Sequence, residues 1–188
     1  MVPNGTPVTT KMSDYWLLTT DYCIYRGDLV MSQTEFDSNP TAIVIFGASG
    51  DLTQRKLVPA FFSRYRKDRV PADTRLVGFA NTPLSSEEIR THLRMGTEQH
   101  AAQIFDATTC MEFSTYLWYR SGDFKAQPDY DGLEAFLSEE IEGGPANRLF
   151  YLAATPMFFA PILDQLGSHK MARQDNGWRL SCGEHDHE

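Results

Sequence analysis

The sequence predicts an α/β fold in which a parallel sheet carries helices on both faces. Three observations lead to this prediction. Short apolar runs rich in β-branched and aromatic residues recur along the chain, segments with helical periodicity separate them, and a glycine-containing turn follows the first run directly. Because right-handed crossovers join strands that alternate with helices, we expect the strands to run parallel.

The predicted strands and helices begin after residue 40. Residues 1–40 carry aromatic side chains at no fixed period, which predicts an irregular N-terminal arm. Strands are predicted at 42–46, 76–79, 115–119 and 148–153, and helices at 51–67, 131–141 and 157–166. Pro59 should end or bend the first part of the first helix, because proline cannot donate a backbone hydrogen bond.

One more helix is predicted from its start signal. Ser85 and Glu88 have the spacing of a capping box, so a helix should begin there. The chain is thereby divided into the arm 1–40, an α/β domain at 41–179 and a divergent tail at 180–188.

Composition and charge exclude several classes of protein. Of the 188 residues, 41% are hydrophobic and 22% are charged, as in an ordinary globular domain. The net charge of −8 is opposite to that of a dedicated nucleic-acid binder. No apolar run approaches the ~20 residues of a membrane span, and the first residues lack the pattern of a secretory signal. We therefore expect no nucleic-acid partner, no membrane segment and a cytoplasmic location.

The three cysteines, Cys23, Cys110 and Cys182, are odd in number and widely spaced. They match neither a disulfide framework nor a C-x-x-C metal or redox site, so we expect buried thiols in a reducing compartment. The histidines and acids of residues 185–188 are expected to form a tail without a metal ion.

The turn between the first predicted strand and helix is typical of a phosphate-binding turn, and its residues are Gly47, Ala48, Ser49, Gly50, Asp51, Leu52, Thr53 and Gln54. Glycine permits a tight turn and lets backbone N–H groups approach phosphate oxygens, and the helix that follows adds a favourable dipole. G-x-x-G alone is common in strand–helix turns, but its position on the first such turn favours a dinucleotide site. The more common G-x-G-x-x-G spacing is absent.

Two further features bear on the nucleotide. Asn81 lies just after the second predicted strand, at the position where an acidic residue would select NAD and a basic residue would select NADP. Residues 51–75 hold seven basic and three acidic side chains. This excess either attracts an anionic nucleotide or forms a solvated helix face, and the sequence leaves both readings open.

Five sequence blocks together resemble the N-terminal domain of glucose-6-phosphate dehydrogenase over residues 41–179: GASGDLTQRKLVPAFF, RLVGFANTPLSSEEIR, WYRSGDF, NRLFYLAATP and GW. The resemblance implies a Rossmann-like sheet, incomplete at its C-terminal side. It also implies a role in carbohydrate metabolism, in which glucose 6-phosphate is oxidised to phosphogluconolactone in the pentose phosphate pathway and hydride passes to NADP. The implied cofactor contacts are residues 47–54, Asn81 and Tyr151, the last near the nicotinamide, although Tyr151 is equally compatible with core packing.

Three departures from the family pattern matter. Asn81 stands where the family usually has an arginine that pairs with the 2′-phosphate, so NAD use is possible beside NADP. Ala154-Thr155-Pro156 replaces a common Pro-Pro pair. After Arg179 the resemblance stops, as a truncation or a shifted reading frame would leave it. No catalytic residue is therefore carried over, and we expect the chain to be inactive alone.

Alternatives from other classes remain. The chain could be a non-catalytic nucleotide-binding or sensing module. A short-chain reductase is disfavoured, because no tyrosine is followed by lysine at the Tyr-x-x-x-Lys spacing. An incomplete sheet would also leave a strand edge uncovered, so self-association is expected.

Overall fold

The computed structural model describes residues 22–24, 40–144, 146–172 and 179–183. Its strands are β1 (Tyr22–Ile24), β2 (Thr41–Phe46), β3 (Thr74–Ala80), β4 (Leu117–Ser121), β5 (Asn147–Leu152) and β6 (Arg179–Gly183). Its helices are α1 (Val58–Tyr65), α2 (Ser86–His100), α3 (Ala107–Ser114), α4 (Gln127–Phe136) and α5 (Phe159–Ser168). These elements confirm the predicted fold class.

The six strands form one sheet in the order β1-β6-β5-β2-β3-β4. Strands β2 to β6 pair in parallel, and β1 pairs antiparallel with β6. The chain moves from β2 to β3 and β4 in one direction and then crosses back to β5 on the other side of β2. Because crossovers keep one hand, the reversal places α4 and α5 on the face opposite α1, α2 and α3.

Two strands lie where none is predicted. β6 occupies residues 179–183, at the start of the predicted tail, and β1 lies inside the predicted irregular arm. Register pairing explains both: β6 pairs with the parallel strand β5, and β1 covers the outer side of β6 from Ser181 to Gly183. The three residues of β1 are too few to show a periodicity, and β6 contains no continuous apolar run. Self-association through an uncovered edge stays a prediction, and residues 185–188 lie outside the described part of the chain.

The core divides into two aromatic clusters. On one face, Phe46 contacts Phe79, Phe124, Tyr130 and Phe150, with ring centroids 5.5–6.4 Å apart. The other cluster joins α1 to α3 and consists of Phe62, Tyr65, Phe105, Phe113 and Tyr116. The free thiol of Cys110 is buried, as predicted, and burial raises its pKa.

The segment after β2 is helical from residue 51, but it is not a regular α-helix. Residues Thr53–Leu57 form a π-helical turn, in which the Val58 N–H donates to the Thr53 carbonyl. The turn ends just before Pro59, whose missing N–H prevents an ordinary helical bond at that point. Where the sequence predicts a bend at Pro59, the structure thus has a π-helical turn, which is wider than a turn of α-helix. A second π-helical turn, Leu137–Glu142, follows α4.

The capping box predicted at the start of α2 is confirmed. The Ser85 hydroxyl accepts from the Glu88 N–H, and the Glu88 carboxylate accepts from the Ser85 N–H. Within the described residues, no helix is long and apolar enough to cross a membrane. No group of three or more His, Cys, Asp or Glu side chains in that part of the chain could hold a metal ion.

Candidate functional site

The candidate site lies where the direction of the chain through the sheet reverses. β2 and β5 are neighbours, and the connections from each lead to opposite sides. Their carboxyl ends leave a crevice of the kind in which ligands bind in open α/β sheets. Gly47 directly follows β2 and Ala153 directly follows β5, so the predicted glycine turn lies at this crevice.

Backbone hydrogen bonds fix the turn to both neighbouring strands. The Gly47 N–H donates to the Phe79 carbonyl at 2.8 Å, and the Ala153 N–H donates to the Phe46 carbonyl at 2.8 Å. The backbone of Gly47 has φ +89°, a conformation that residues with a side chain rarely adopt. A Cβ there would lie 2.5 Å from the Ala153 carbonyl oxygen. Glycine is therefore required at position 47, because any other residue would strain the backbone and its Cβ would clash with the Ala153 carbonyl.

The turn is closed from within. The Gly50 N–H donates to the Gly47 carbonyl at 2.9 Å, and the Thr53 hydroxyl donates to the same carbonyl at 3.3 Å. Thr53 is buried, and so is Ala48 on the side of the turn that faces β3. A Cβ on Gly78 would lie 2.6 Å from the Ala48 Cβ, so Gly78 makes room for the turn.

Gln54 connects the turn to α2. Its side-chain amide donates to the His92 carbonyl at 3.3 Å. Gly96 of α2 approaches so closely that a Cβ there would lie 2.8 Å from the Gln54 carbonyl oxygen. The side chains of Ala48, Thr53 and Gln54 thus support the turn, and the Gln54 N–H also donates to the Gly50 carbonyl at 3.2 Å.

The other predicted residues of the turn reach the surface. Asp51 is exposed and pairs with Arg55 at 3.2 Å, while Ser49, Gly50 and Leu52 are half-buried. The Ser49 hydroxyl lies 2.8 Å from the Thr82 hydroxyl, which follows β3. This contact joins the glycine turn to the loop that carries Asn81.

Asn81 is exposed at the carboxyl end of β3, and its contact with a ribose stays a prediction. Tyr119 anchors the loop beside it: the phenol hydroxyl donates to the Thr82 carbonyl at 2.6 Å and lies 3.2 Å from the Ala80 carbonyl. Burial raises the pKa of Tyr119, against the opposing effect of a hydrogen bond with Ser49. The phenol is therefore a hydrogen-bond donor at neutral pH.

Sequence reasoning did not identify Tyr119 or Gly78 as parts of the site. The two residues are register partners on β4 and β3, and each also fits the pattern of an ordinary buried strand. The register between strands is a property of the folded sheet, and no motif in this sequence specifies it.

Tyr151 lies next to the last residue of β5, between Ile45 of β2 and Cys182 of β6 in register. It is half-buried and packs against the core. This position is compatible with both alternatives, a nicotinamide neighbour and a core side chain, so the assignment stays a prediction.

The basic residues of the 51–75 segment do not gather at the turn. Arg66, just after α1, donates to the Ile104 carbonyl at 2.8 Å, and Arg75 donates to the Ala72 and Thr74 carbonyls at 2.9 Å. Both lie near the amino end of β3, whereas the glycine turn lies at the carboxyl ends of the strands. Of the seven basic residues in this segment, only Arg55 and Lys56 follow the turn closely. Most of the positive charge of the segment therefore lies on the surface away from the candidate site.

Comparison with known proteins gives consistent results. A sequence model described as "Glucose-6-phosphate dehydrogenase, NAD binding domain" matches residues 44–181. Glucose-6-phosphate 1-dehydrogenase of Aggregatibacter actinomycetemcomitans is 34% identical over 140 residues, which cover 73% of this chain and 28% of that protein. The chloroplastic glucose-6-phosphate 1-dehydrogenase of Spinacia oleracea is 33% identical over 141 residues, with 73% and 24% covered.

Solved structures show the same similarity. A glucose-6-phosphate dehydrogenase in complex with its substrate glucose-6-phosphate superposes with a TM-score of 0.63 at 31% identity, covering 78% of this chain and 30% of that chain. Glucose-6-phosphate 1-dehydrogenase from Mycobacterium avium shares the fold, with a TM-score of 0.63 at 23% identity over 75% of this chain and 29% of that one. The chain spans less than a third of the length of each of these four relatives.

Proposed function

Because the chain belongs to the glucose-6-phosphate dehydrogenase family and carries its NAD-binding domain, we propose that it binds NADP at residues 47–54. A nicotinamide cofactor follows from the domain, and NADP is the finer part of the proposal. The position of Gly47 is the main support for this proposal. This residue has no Cβ and begins the turn at the crevice between β2 and β5.

The residues present fit a pyrophosphate. The turn precedes a helical segment that runs from residue 51 to 65, so the dipole of that segment favours negative charge at the turn. The N–H groups of Gly47 and Gly50 are committed to protein carbonyls. Phosphate oxygens would therefore be held by neighbouring N–H groups, those of Ser49 and Asp51 first, together with the Ser49 hydroxyl. The ion pair with Arg55 offsets the charge of Asp51 near the anion.

The ribose would face the loop after β3. Asn81 is exposed there and offers an amide, which can hydrogen-bond to either ribose form but supplies no charge. We therefore infer a weaker preference for NADP over NAD than an arginine would give. Tyr151 is proposed to line the nicotinamide side of the site.

In the whole enzyme, we infer that this domain serves the oxidation of glucose 6-phosphate to phosphogluconolactone. NADP, when bound, supplies the acceptor for the hydride. The residues of this chain hold and orient the nucleotide, and no residue here is assigned to proton transfer or to sugar binding. A cytoplasmic location and self-association remain predictions beside this proposal.

A pair of glycine variants tests the proposal. Gly47 and Gly143 both have positive φ, +89° and +65°, but only at Gly47 does a new Cβ meet backbone, whereas at Gly143 nothing lies within 4 Å. The left-handed conformation should cost each alanine variant about 1–2 kcal/mol of stability, and the clash with the Ala153 carbonyl should destabilise Gly47→Ala further. Only Gly47→Ala should also weaken NADP binding, at least tenfold in Kd by fluorescence titration.

Equal NADP affinity in the two folded variants would contradict the assignment of the turn. NADP binding with no oxidation of glucose 6-phosphate would agree with a nucleotide-binding module that has no reaction of its own. The same outcome is expected of a domain that serves a longer enzyme, because no residue of this chain is assigned to proton transfer or to sugar binding.

A further inference from the structure

The hydroxyl of Tyr119 contacts two carbonyls of the loop that follows β3. It donates to the Thr82 carbonyl at 2.6 Å and lies 3.2 Å from the Ala80 carbonyl, so one oxygen touches both ends of the segment that contains Asn81. Tyr119 is itself 6% exposed and comes from β4, the edge strand of the sheet. Its position is thus set by the sheet and not by the loop.

Packing holds the ring in place. A Cβ on Gly78 would lie 2.9 Å from Cδ2 of Tyr119 and 2.6 Å from the Ala48 Cβ. The absence of a side chain at Gly78 therefore allows both the Tyr119 ring and the glycine turn to approach β3. Because the ring is confined, its hydroxyl is presented at a fixed point below the loop.

The loop is joined in turn to the glycine turn. The Thr82 hydroxyl lies 2.8 Å from the Ser49 hydroxyl. A displacement of Thr82 would therefore alter both the surroundings of Asn81 and the orientation of the Ser49 hydroxyl. These two groups belong to the ribose and phosphate parts of the proposed site.

We propose that Tyr119 is a positioning residue that holds loop 80–82 in place for the ribose end of the bound nucleotide. The inference rests on the proposed function, since it concerns the affinity of the same site. Tyr119 acts through its hydrogen bonds with Thr82 and Ser49, and we assign it no contact with the nucleotide or the reacting atoms.

Removal of the hydroxyl should leave the fold intact. The Ala80 carbonyl also accepts from the Gly122 N–H at 3.0 Å, and the Thr82 carbonyl also accepts from the Leu84 N–H at 2.9 Å. Neither carbonyl is therefore left without a partner in Tyr119→Phe. The variant changes the order of the loop, and it keeps the ring that fills the space beside Gly78.

The matched control is Tyr116→Phe. It deletes the same atom from a tyrosine three residues earlier, which packs on Tyr65 and beneath Arg75 at the opposite end of the sheet. Both variants are made in the full 188-residue chain. Two properties are measured: amide hydrogen exchange at Leu84 without nucleotide, and the Kd for NADP.

In Tyr119→Phe, we expect Leu84 exchange to accelerate and the Kd for NADP to rise, each about fivefold, the usual effect of one lost hydrogen bond. Tyr116→Phe should change neither, and the melting temperature should distinguish loop order from global unfolding. Unchanged exchange at Leu84 in Tyr119→Phe would overturn the positioning role, whether or not NADP binds. Faster exchange with unchanged affinity would overturn the link to the nucleotide. Absence of NADP binding by the parent chain would instead refute the proposed function.

Discussion

Asn81 decides the charge of the proposed ribose site. It is exposed at the end of β3, and the neighbouring Thr82 is fixed by the hydroxyls of Ser49 and Tyr119. An amide at this position can form neutral hydrogen bonds only, whereas a guanidinium would form charge-assisted, bidentate bonds to a 2′-phosphate. The selectivity of the site should therefore depend on this one side chain.

Asn81→Arg should tighten NADP binding about tenfold and leave NAD binding within twofold, because only NADP carries the 2′-phosphate. Calorimetric titration of each nucleotide into both proteins measures the change. Asn81→Gln is the control, since it lengthens the side chain without adding charge. An unchanged NADP affinity in Asn81→Arg would place the 2′-phosphate elsewhere.

Among the elements, β5 is tied to α4 and to the π-helical turn after it by one buried arginine. Arg148 donates to both oxygens of Glu134 and both oxygens of Glu142. The side chains of Arg148 and Glu142 are 5% exposed, and that of Glu134 is 38% exposed. Burial lowers the pKa of Arg148, but the hydrogen bonds to Glu142 and Glu134 outweigh it and raise the pKa. The guanidinium therefore stays charged.

Glu142→Gln should lower the free energy of unfolding by about 3 kcal/mol, because it leaves a buried guanidinium incompletely paired. Urea unfolding measures the loss. Asp51→Asn breaks the exposed pair with Arg55 and should cost at most about 0.5 kcal/mol. A Glu142→Gln loss as small as that of the control would show that the buried pair contributes no more than a surface one.

The start of α2 should give the stability of the protein a dependence on pH. The Ser85 N–H, and then the Ser85 hydroxyl, lower the pKa of Glu88 from its ordinary value of 4.5. A pKa that is lower in the folded than in the unfolded state stabilises the protein above the unfolded value, and this contribution is lost as pH falls through the folded value. Glu88→Gln keeps a capping side chain without charge, so its stability deficit at neutral pH should shrink in acid. Urea unfolding at several pH values tests this, and a constant deficit would contradict it.

The same elements show how far the sequence can be interpreted. Strands β2, β3 and β5 follow from continuous apolar runs, and α2 follows from its capping box, because these signals are local. The sequence does not predict β1 and β6, because their formation depends on pairing with distant residues. The start of β4 was predicted two residues early, since Thr115 and Tyr116 favour a strand but close the end of α3 through turn hydrogen bonds.

For the whole molecule, the topology brings distant segments to one edge of the sheet. Gly47, Asn81 and Ala153 each directly follow a strand, β2, β3 and β5 in turn, and those three strands are neighbours. The position of the glycine turn could be predicted from the sequence, because it depends on order along the chain. The inward orientation of Thr53 and Gln54 could not, because Thr53 bonds to the Gly47 carbonyl within the folded turn and Gln54 packs against α2 at Gly96.

A calorimetric titration shows directly whether this chain binds NADP. The full chain, shown to be folded by circular dichroism, is titrated with NADP and then with NAD. We expect saturable binding of NADP at a single site, with a modest preference over NAD because of Asn81. A folded chain that takes up neither nucleotide would contradict the claim that residues 47–54 form a working cofactor site.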